Sequence, residues 1–136
     1  MTEPSAPIPS FGLTHLALGV TDVERAFGFY QQVFGMVAVY RDANFLQAQT
    51  PGTHDVLVFE KRSTAVGTSG DIAHFGFRLR SESAITDAAA RVKAAGGTII
   101  EQGEFCPGEP YLFARDRDGY LIEIWYEIPT PIDPPS

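Results

Sequence analysis

The sequence predicts an α+β fold of two similar halves, each a strand, a helix and three further strands. Three observations carry that prediction. Two amphipathic helical patterns occur, one in each half, and each follows a short apolar strand. The opening strands match at one register: Leu13-Thr14-His15-Leu16-Ala17-Leu18 against Ile72-Ala73-His74-Phe75-Gly76-Phe77, with a histidine at the same place in each. Such internal similarity marks a duplicated module rather than a solenoid array. Third, Asp118-Gly119 is a strong hairpin signal, and the β-branched and aromatic run after it, residues 120–126, reads as a buried strand.

Bulk properties narrow the function classes. The chain has 136 residues and a net charge of −7. That length suits one domain with a real core. The acidic balance argues against a nucleic-acid or anionic-membrane binder, which needs a basic surface. No apolar run approaches the roughly 20 residues of a membrane helix. The N-terminus shows no charged-then-apolar secretory pattern. Cys106 is the single cysteine, so no internal disulfide forms and a cytoplasmic location is expected.

Taken in order, residues 1–10 and 128–136 read as Pro-rich tails around one domain over 11–127, with modules at about 11–62 and 70–127. Residues 11–20 form the first strand. Thr21-Asp22-Val23-Glu24 has the form of a capping box with Thr21 as the cap. Val23, Ala26, Phe27, Tyr30, Val33 and Phe34 recur at helical spacing, and Gly35 ends the helix in the left-handed region. Strands follow at 36–40, 45–49 and 55–61. Residues 61–70, small and polar, link the halves. The second module repeats the plan: a strand at 71–80, then a helix capped by Ser81 or Ser83 with Ile85, Ala88, Ala89, Val92 and Ala95 on its buried face. Gly96-Gly97 stops it, and strands at 98–102, 111–115 and 120–127 complete the chain.

Strand alternation assigns faces. Leu16 and Leu18, and Phe75, Phe77 and Leu79, pack on the helices. His15 and Ala17, and His74, Gly76 and Arg78, face the other way. On the last strand Leu121, Glu123 and Trp125 oppose Ile122, Ile124 and Tyr126. The small residue two positions after each histidine leaves room, so His15, His74 and Glu123 can converge on a concave, partly polar face. A carboxylate in a buried strand costs several kcal/mol unless it is paired. Two histidines and one carboxylate form a facial triad that leaves coordination positions open and favours non-haem Fe(II).

With these residues in view the chain resembles the vicinal oxygen chelate superfamily of glyoxalases, extradiol dioxygenases, fosfomycin-modifying enzymes and bleomycin-binding proteins. The matching pieces are residues 13–18, 20–26, 29–36, 74–77 and 116–123, in that order. The resemblance implies a cupped, barrel-like mixed sheet made of two βαβββ modules around a divalent metal. It implies His15, His74 and Glu123 as ligands, Fe(II) as the expected metal with Mn, Zn or Ni as alternatives, and a homodimer. Glyoxalase I has a fourth ligand, a glutamate on the last strand of module one. Glu60 is the acidic candidate there, although aligning residues 56–59 with 120–123 turns it to the far face. Dioxygenases add an acid–base tyrosine and histidine. Phe113 stands at the usual tyrosine position, which leaves Tyr111 and His54 as candidates.

Arg78 is a candidate fork for an anionic substrate group. Trp125 is a candidate stacking surface for an aromatic one. Nothing near Cys106 lowers its pKa, so it is not expected to be a nucleophile. No phosphate-loop or dinucleotide fingerprint is present. The expected reaction is extradiol-dioxygenase-like oxidation of a small vicinal-oxygen substrate, with a glyoxalase-like lyase or isomerase, or a drug-binding protein without catalysis, as the alternatives.

Overall fold

Among the described residues eight strands form two four-stranded sheets, with one helix after the first strand of each half. The structure is a computed structural model and describes residues 6–135; the first five residues of the expected N-terminal tail, and Ser136, lie outside the described residues. In the first half β1 (His15–Val20) leads to α1 (Val23–Phe34), then β2 (Val37–Arg41), β3 (Phe45–Gln49) and β4 (Val56–Lys61). The second half runs β5 (Phe75–Arg78), α2 (Ala84–Ala94), β6 (Thr98–Glu104), β7 (Pro110–Arg115) and β8 (Leu121–Trp125). The sheet orders are β1-β4-β3-β2 and β5-β8-β7-β6. In each, the first strand pairs in parallel with the last, and the remaining pairs are antiparallel.

The duplicated α+β plan is therefore present. Among the described residues no strand pairing joins the two sheets, so the fold is cupped and not closed into a barrel. Both opening strands are shorter than expected. Leu13 is fully exposed and has no strand partner among the described residues, and β1 begins only at His15.

Local chemistry explains the helix ends. Asp22, in extended conformation, caps α1 by accepting from the Arg25 backbone N–H at 3.0 Å. The expected cap, Thr21, lies one residue too early; its hydroxyl instead accepts from Arg25 Nη2 at 2.9 Å. Gly35 (φ 70°) ends the helix, and its N–H reaches the Gln31 carbonyl at 2.9 Å. The α2 start is weaker: Ser83 occupies the cap position but its side chain makes no capping bond.

Side-chain alternation loads one face of each sheet onto the helices. Val20, Leu46, Phe59, Leu112, Ile122 and Ile124 are fully buried there, with Phe29 and Tyr30 of α1. Phe29 joins the predicted helix face because α1 also packs toward the second half, where any Cβ on Gly97 would lie 2.7 Å from its ring. Tyr30 binds the halves together. Its ring lies near Phe59 and Phe77, and its hydroxyl donates to Asp116 Oδ2 at 2.6 Å. Asp116 Oδ1 accepts the Asp118 and Tyr120 amides, each at 2.9 Å. Burial pushes the Asp116 carboxyl above its usual range and Tyr30 well above its own. The predicted Asp-Gly hairpin is the turn that carries this network, with Gly119 at φ 97°. Tyr120 then donates to the Gly19 carbonyl at 2.7 Å, a second tie between the halves.

Candidate metal centre

Because the core takes one face of each sheet, the opposite faces stay open, and most of the expected site residues lie there. On the second sheet Glu123 stands mid-β8, with Gly76 of β5 on one side and Phe113 of β7 on the other. His74 immediately precedes β5. Its imidazole packs edge-on against Phe113, ring centroids 5.0 Å apart. Its Nε2 stands 3.8 Å from Glu123 Oε1, beyond hydrogen-bond reach. The Glu123 side chain is only 15% exposed, and no hydrogen bond reaches its carboxylate among the described residues.

This pair fits a divalent cation. Metal–nitrogen and metal–oxygen bonds near 2.1 Å set two ligands of one ion roughly 3–3.5 Å apart. A small side-chain shift closes the remaining gap. His15 is elsewhere: it opens β1 on the open face of the first sheet, exposed, opposite Val56. Among the described residues no group of three histidine, cysteine, aspartate or glutamate side chains is close enough to hold a metal. One chain thus brings two of the three expected ligands together.

The register corrects the reading of Glu60. Parallel pairing sets Ala17 against Val58 and Gly19 against Glu60, while Phe59 pairs with Leu18 and points into the core. Glu60 therefore shares the open face with His15, contrary to the parity expected from sequence. The alignment behind that parity was one residue out: Phe59 matches Ile124, and the position equivalent to Glu123 is Val58. Glu60 is also engaged, accepting from Arg62 Nη2 at 2.6 Å.

Tyr111 and Phe113 share the open face with Glu123. Tyr111 donates to Glu101 Oε2 at 2.7 Å and stacks on Phe105. That hydrogen bond above all, with Glu123 adding a smaller repulsion, holds the phenol pKa above its usual value. His54 lies in the turn before β4, stacked on Phe11 with centroids 3.5 Å apart. The Trp125 ring covers Gly76, where any Cβ would meet the indole at 2.7 Å, and its Nε1 donates to Glu127 at 2.9 Å. Arg78, opposite Trp125, is held by Asp133 in a two-pronged ion pair. Cys106 is exposed and donates to Glu109 Oε1 at 3.2 Å, which raises its pKa and agrees with an unactivated thiol.

A cleft of about 400 Å³ opens between β1 and the start of β5, beneath the linker. His74, Ala17, Gly19 and Arg62 line it, but Glu123 and His15 do not, so the His74–Glu123 pair lies at its edge. Sequence reasoning missed Phe113 as the support for His74, Glu101 as the partner of Tyr111, and Asp133. Strand alternation alone could have found the first, since Phe113 shares parity with Tyr111.

Comparison with known proteins gives a consistent family. The Pseudomonas aeruginosa "Uncharacterized protein PA2024" is 33% identical over 128 residues, covering 86% of this chain and 89% of that protein. The solved fosfomycin resistance protein FosX of Listeria monocytogenes superposes with a TM-score of 0.73 at 20% identity, covering 89% of this chain and 96% of its own. A mutant of that FosX, complexed with Mn(II) and 1S,2S-dihydroxypropylphosphonic acid, superposes at 0.67 with 21% identity, covering 83% and 87%. Among the described residues no helix is long and apolar enough to cross a membrane. The profile of the Glyoxalase/Bleomycin resistance protein/Dioxygenase superfamily matches residues 12–124, and the chain belongs to that superfamily.

Proposed function

We propose that the protein is a divalent-metal-dependent enzyme that acts on a small substrate carrying vicinal oxygens, with dioxygenase-like oxidation as its reaction. The observation behind this reading is Glu123: a largely buried carboxylate without a hydrogen bond, 3.8 Å from an imidazole nitrogen. His74 and Glu123 would hold the metal with His15. Fe(II) suits that donor set, with Mn, Zn or Ni as alternatives. The Mn(II) in the FosX complex supports a divalent ion in this superfamily. When bound, such an ion polarises substrate oxygens as a Lewis acid.

Since one chain unites only two ligands, the proposed centre is completed by a second copy. His15 on the first sheet of one chain meets His74 and Glu123 on the second sheet of another. Exposed Val37 and Tyr40 on the open face of the first sheet, and Phe105 just beyond β6, support a homodimer, because exposed apolar patches mark association surfaces. Cytoplasmic location accords with the lone cysteine.

The other side chains then have assigned roles. Tyr111, its proton held by the Glu101 hydrogen bond, donates to developing negative charge on the substrate. Trp125 carries the flat part of the substrate. Arg78 receives an anionic group. His54 reaches the centre only in company with His15, since its turn leads into the strand paired with β1. The glyoxalase reading has less support, because Val58 occupies the position where a fourth carboxylate would stand and Glu60 is paired with Arg62.

Metal analysis of protein purified without chelator tests the reading. One divalent ion per chain, lost in His74→Ala and Glu123→Gln but kept in Glu60→Gln, is expected. Oxygen uptake with a catechol panel, beside hemithioacetal isomerisation, then separates the two reactions. Metal-free protein that binds organic ligands tightly would instead establish the drug-binding alternative.

A further inference from the structure

We propose that Arg78 is the receptor for a carboxylate at the far end of the substrate, and that Asp133 of the C-terminal segment fills that receptor in the free protein. The inference rests on the proposed function and names the substrate class: an organic acid with an oxygen-bearing head and a flat body.

The geometry is that of a carboxylate site already in use. Arg78 Nη1 donates to Asp133 Oδ1 at 3.1 Å and Nη2 to Oδ2 at 2.8 Å, a parallel fork that engages both oxygens. The remaining Asp133 partners are local, the Thr130 amide at 2.9 Å and the Thr130 hydroxyl at 3.2 Å. Glu127 Oε1 lies 4.0 Å from Arg78 Nε, and Glu109 stands close enough for the guanidinium to help lower its carboxyl pKa, so two further acidic groups flank the site among the described residues. The fork holds the Asp133 carboxyl down at about 2.

The segment bearing Asp133 is lightly anchored. Its Ile128 amide is held by Glu109 Oε2 at 3.0 Å. Beyond that, Ile128 and Ile132 are both exposed, so neither is buried in the core. What keeps Asp133 in place is a partly exposed ion pair, and ion pairs of that kind are weak. An incoming carboxylate offers Arg78 the same two bonds and replaces Asp133 charge for charge.

Position turns this exchange into substrate recognition. Arg78 lies on the open face four residues beyond His74, roughly 13 Å along an extended strand. The indole of Trp125 covers Gly76 between them. Head, platform and fork therefore lie in one line: oxygens at the His74–Glu123 end, a flat body on Trp125, a carboxylate at Arg78. Substrates without that acid group leave Asp133 in its seat and gain nothing from the fork.

The test uses the full chain without metal, so its outcome does not depend on the metal centre. Trp125 is the single tryptophan, and its fluorescence reports binding directly. Benzoate is the probe, and benzamide, of the same shape without the charge, is the control. Removing the internal competitor in Asp133→Asn should tighten benzoate binding about fivefold or more, as expected when a binding-competent state is freed. Arg78→Gln should abolish it, and benzamide should respond to neither change. Circular dichroism confirms that both variants fold. Benzoate affinity that is equal in wild type and Asp133→Asn, absent in both, or retained in Arg78→Gln overturns the proposal. Loss of metal binding in an otherwise positive experiment would strike the proposed reaction and leave the fork intact.

Discussion

The two modules share one pairing scheme and differ in what they carry. Each runs its first strand parallel to its last, with the helix on the same side. Position by position, His15 answers to His74, Ala17 to Gly76, Gly19 to Arg78, Val58 to Glu123 and Glu60 to Trp125. Only the histidine is common. The second module holds His74 and Glu123, the two proposed ligands that lie together, with the Trp125 indole and the Arg78 guanidinium. The first holds the better-built scaffold, with a helix capped at both ends and Phe29, Tyr30, Met36 and Phe59 fully buried.

Substitutions can break that comparison, beginning with the core. Phe59→Ala, on the packed face of module one, should cost about 3–5 kcal/mol in denaturant unfolding. Phe113→Ala, half-buried on the open face of module two, should cost about 1–2 kcal/mol. It should also loosen His74, which has lost its edge-on support, and so weaken metal binding. Equal stability losses would mean that the open face is as much core as the packed one.

The seam between modules comes next. Tyr30→Phe removes a hydrogen bond to a buried carboxylate and should cost about 1.5–3 kcal/mol. The helix ends sharpen the contrast at smaller scale. Asp22→Ala deletes the cap of α1 and should cost about 1 kcal/mol, whereas Ser83→Ala, at a hydroxyl that caps nothing, should be nearly silent.

The smallest effect is the pH response of the C-terminal segment. Asp133 titrates near 2 in the folded chain, below the unfolded value of about 3.9. Its contribution is thus fully present above about 4 and is lost as the pH falls through 2. Trp125 emission should change across that window in the wild type and not in Asp133→Asn.

Much of this was legible in the sequence, for physical reasons. Helical periodicity exposed the packed faces of α1 and α2, and period-two alternation set Leu18, Phe77 and Ile124 inward and His74 and Glu123 outward. Those signals are local, and the core enforces them. Register between distant strands is not local. One residue of error in matching residues 56–59 to the last strand was enough to turn Glu60 to the wrong face, and only the parallel pairing of β1 with β4 fixes it. Likewise the fork of Arg78 on Asp133 joins residues far apart in sequence, and no pattern near either announces the other. That His15 stands apart from its proposed co-ligands belongs to the same class: alternation gives the face of a sheet, not which sheets meet.

Complementation between two inactive chains tests the shared metal centre most directly. His15→Ala and Glu123→Gln are co-expressed with different tags, and the heterodimer is purified through both. Each homodimer should bind no metal. In the heterodimer one centre carries both lesions and the other carries none, so one metal per dimer should return, with its activity. A heterodimer as empty as the two homodimers, or chains that never associate, would contradict a centre built from two copies.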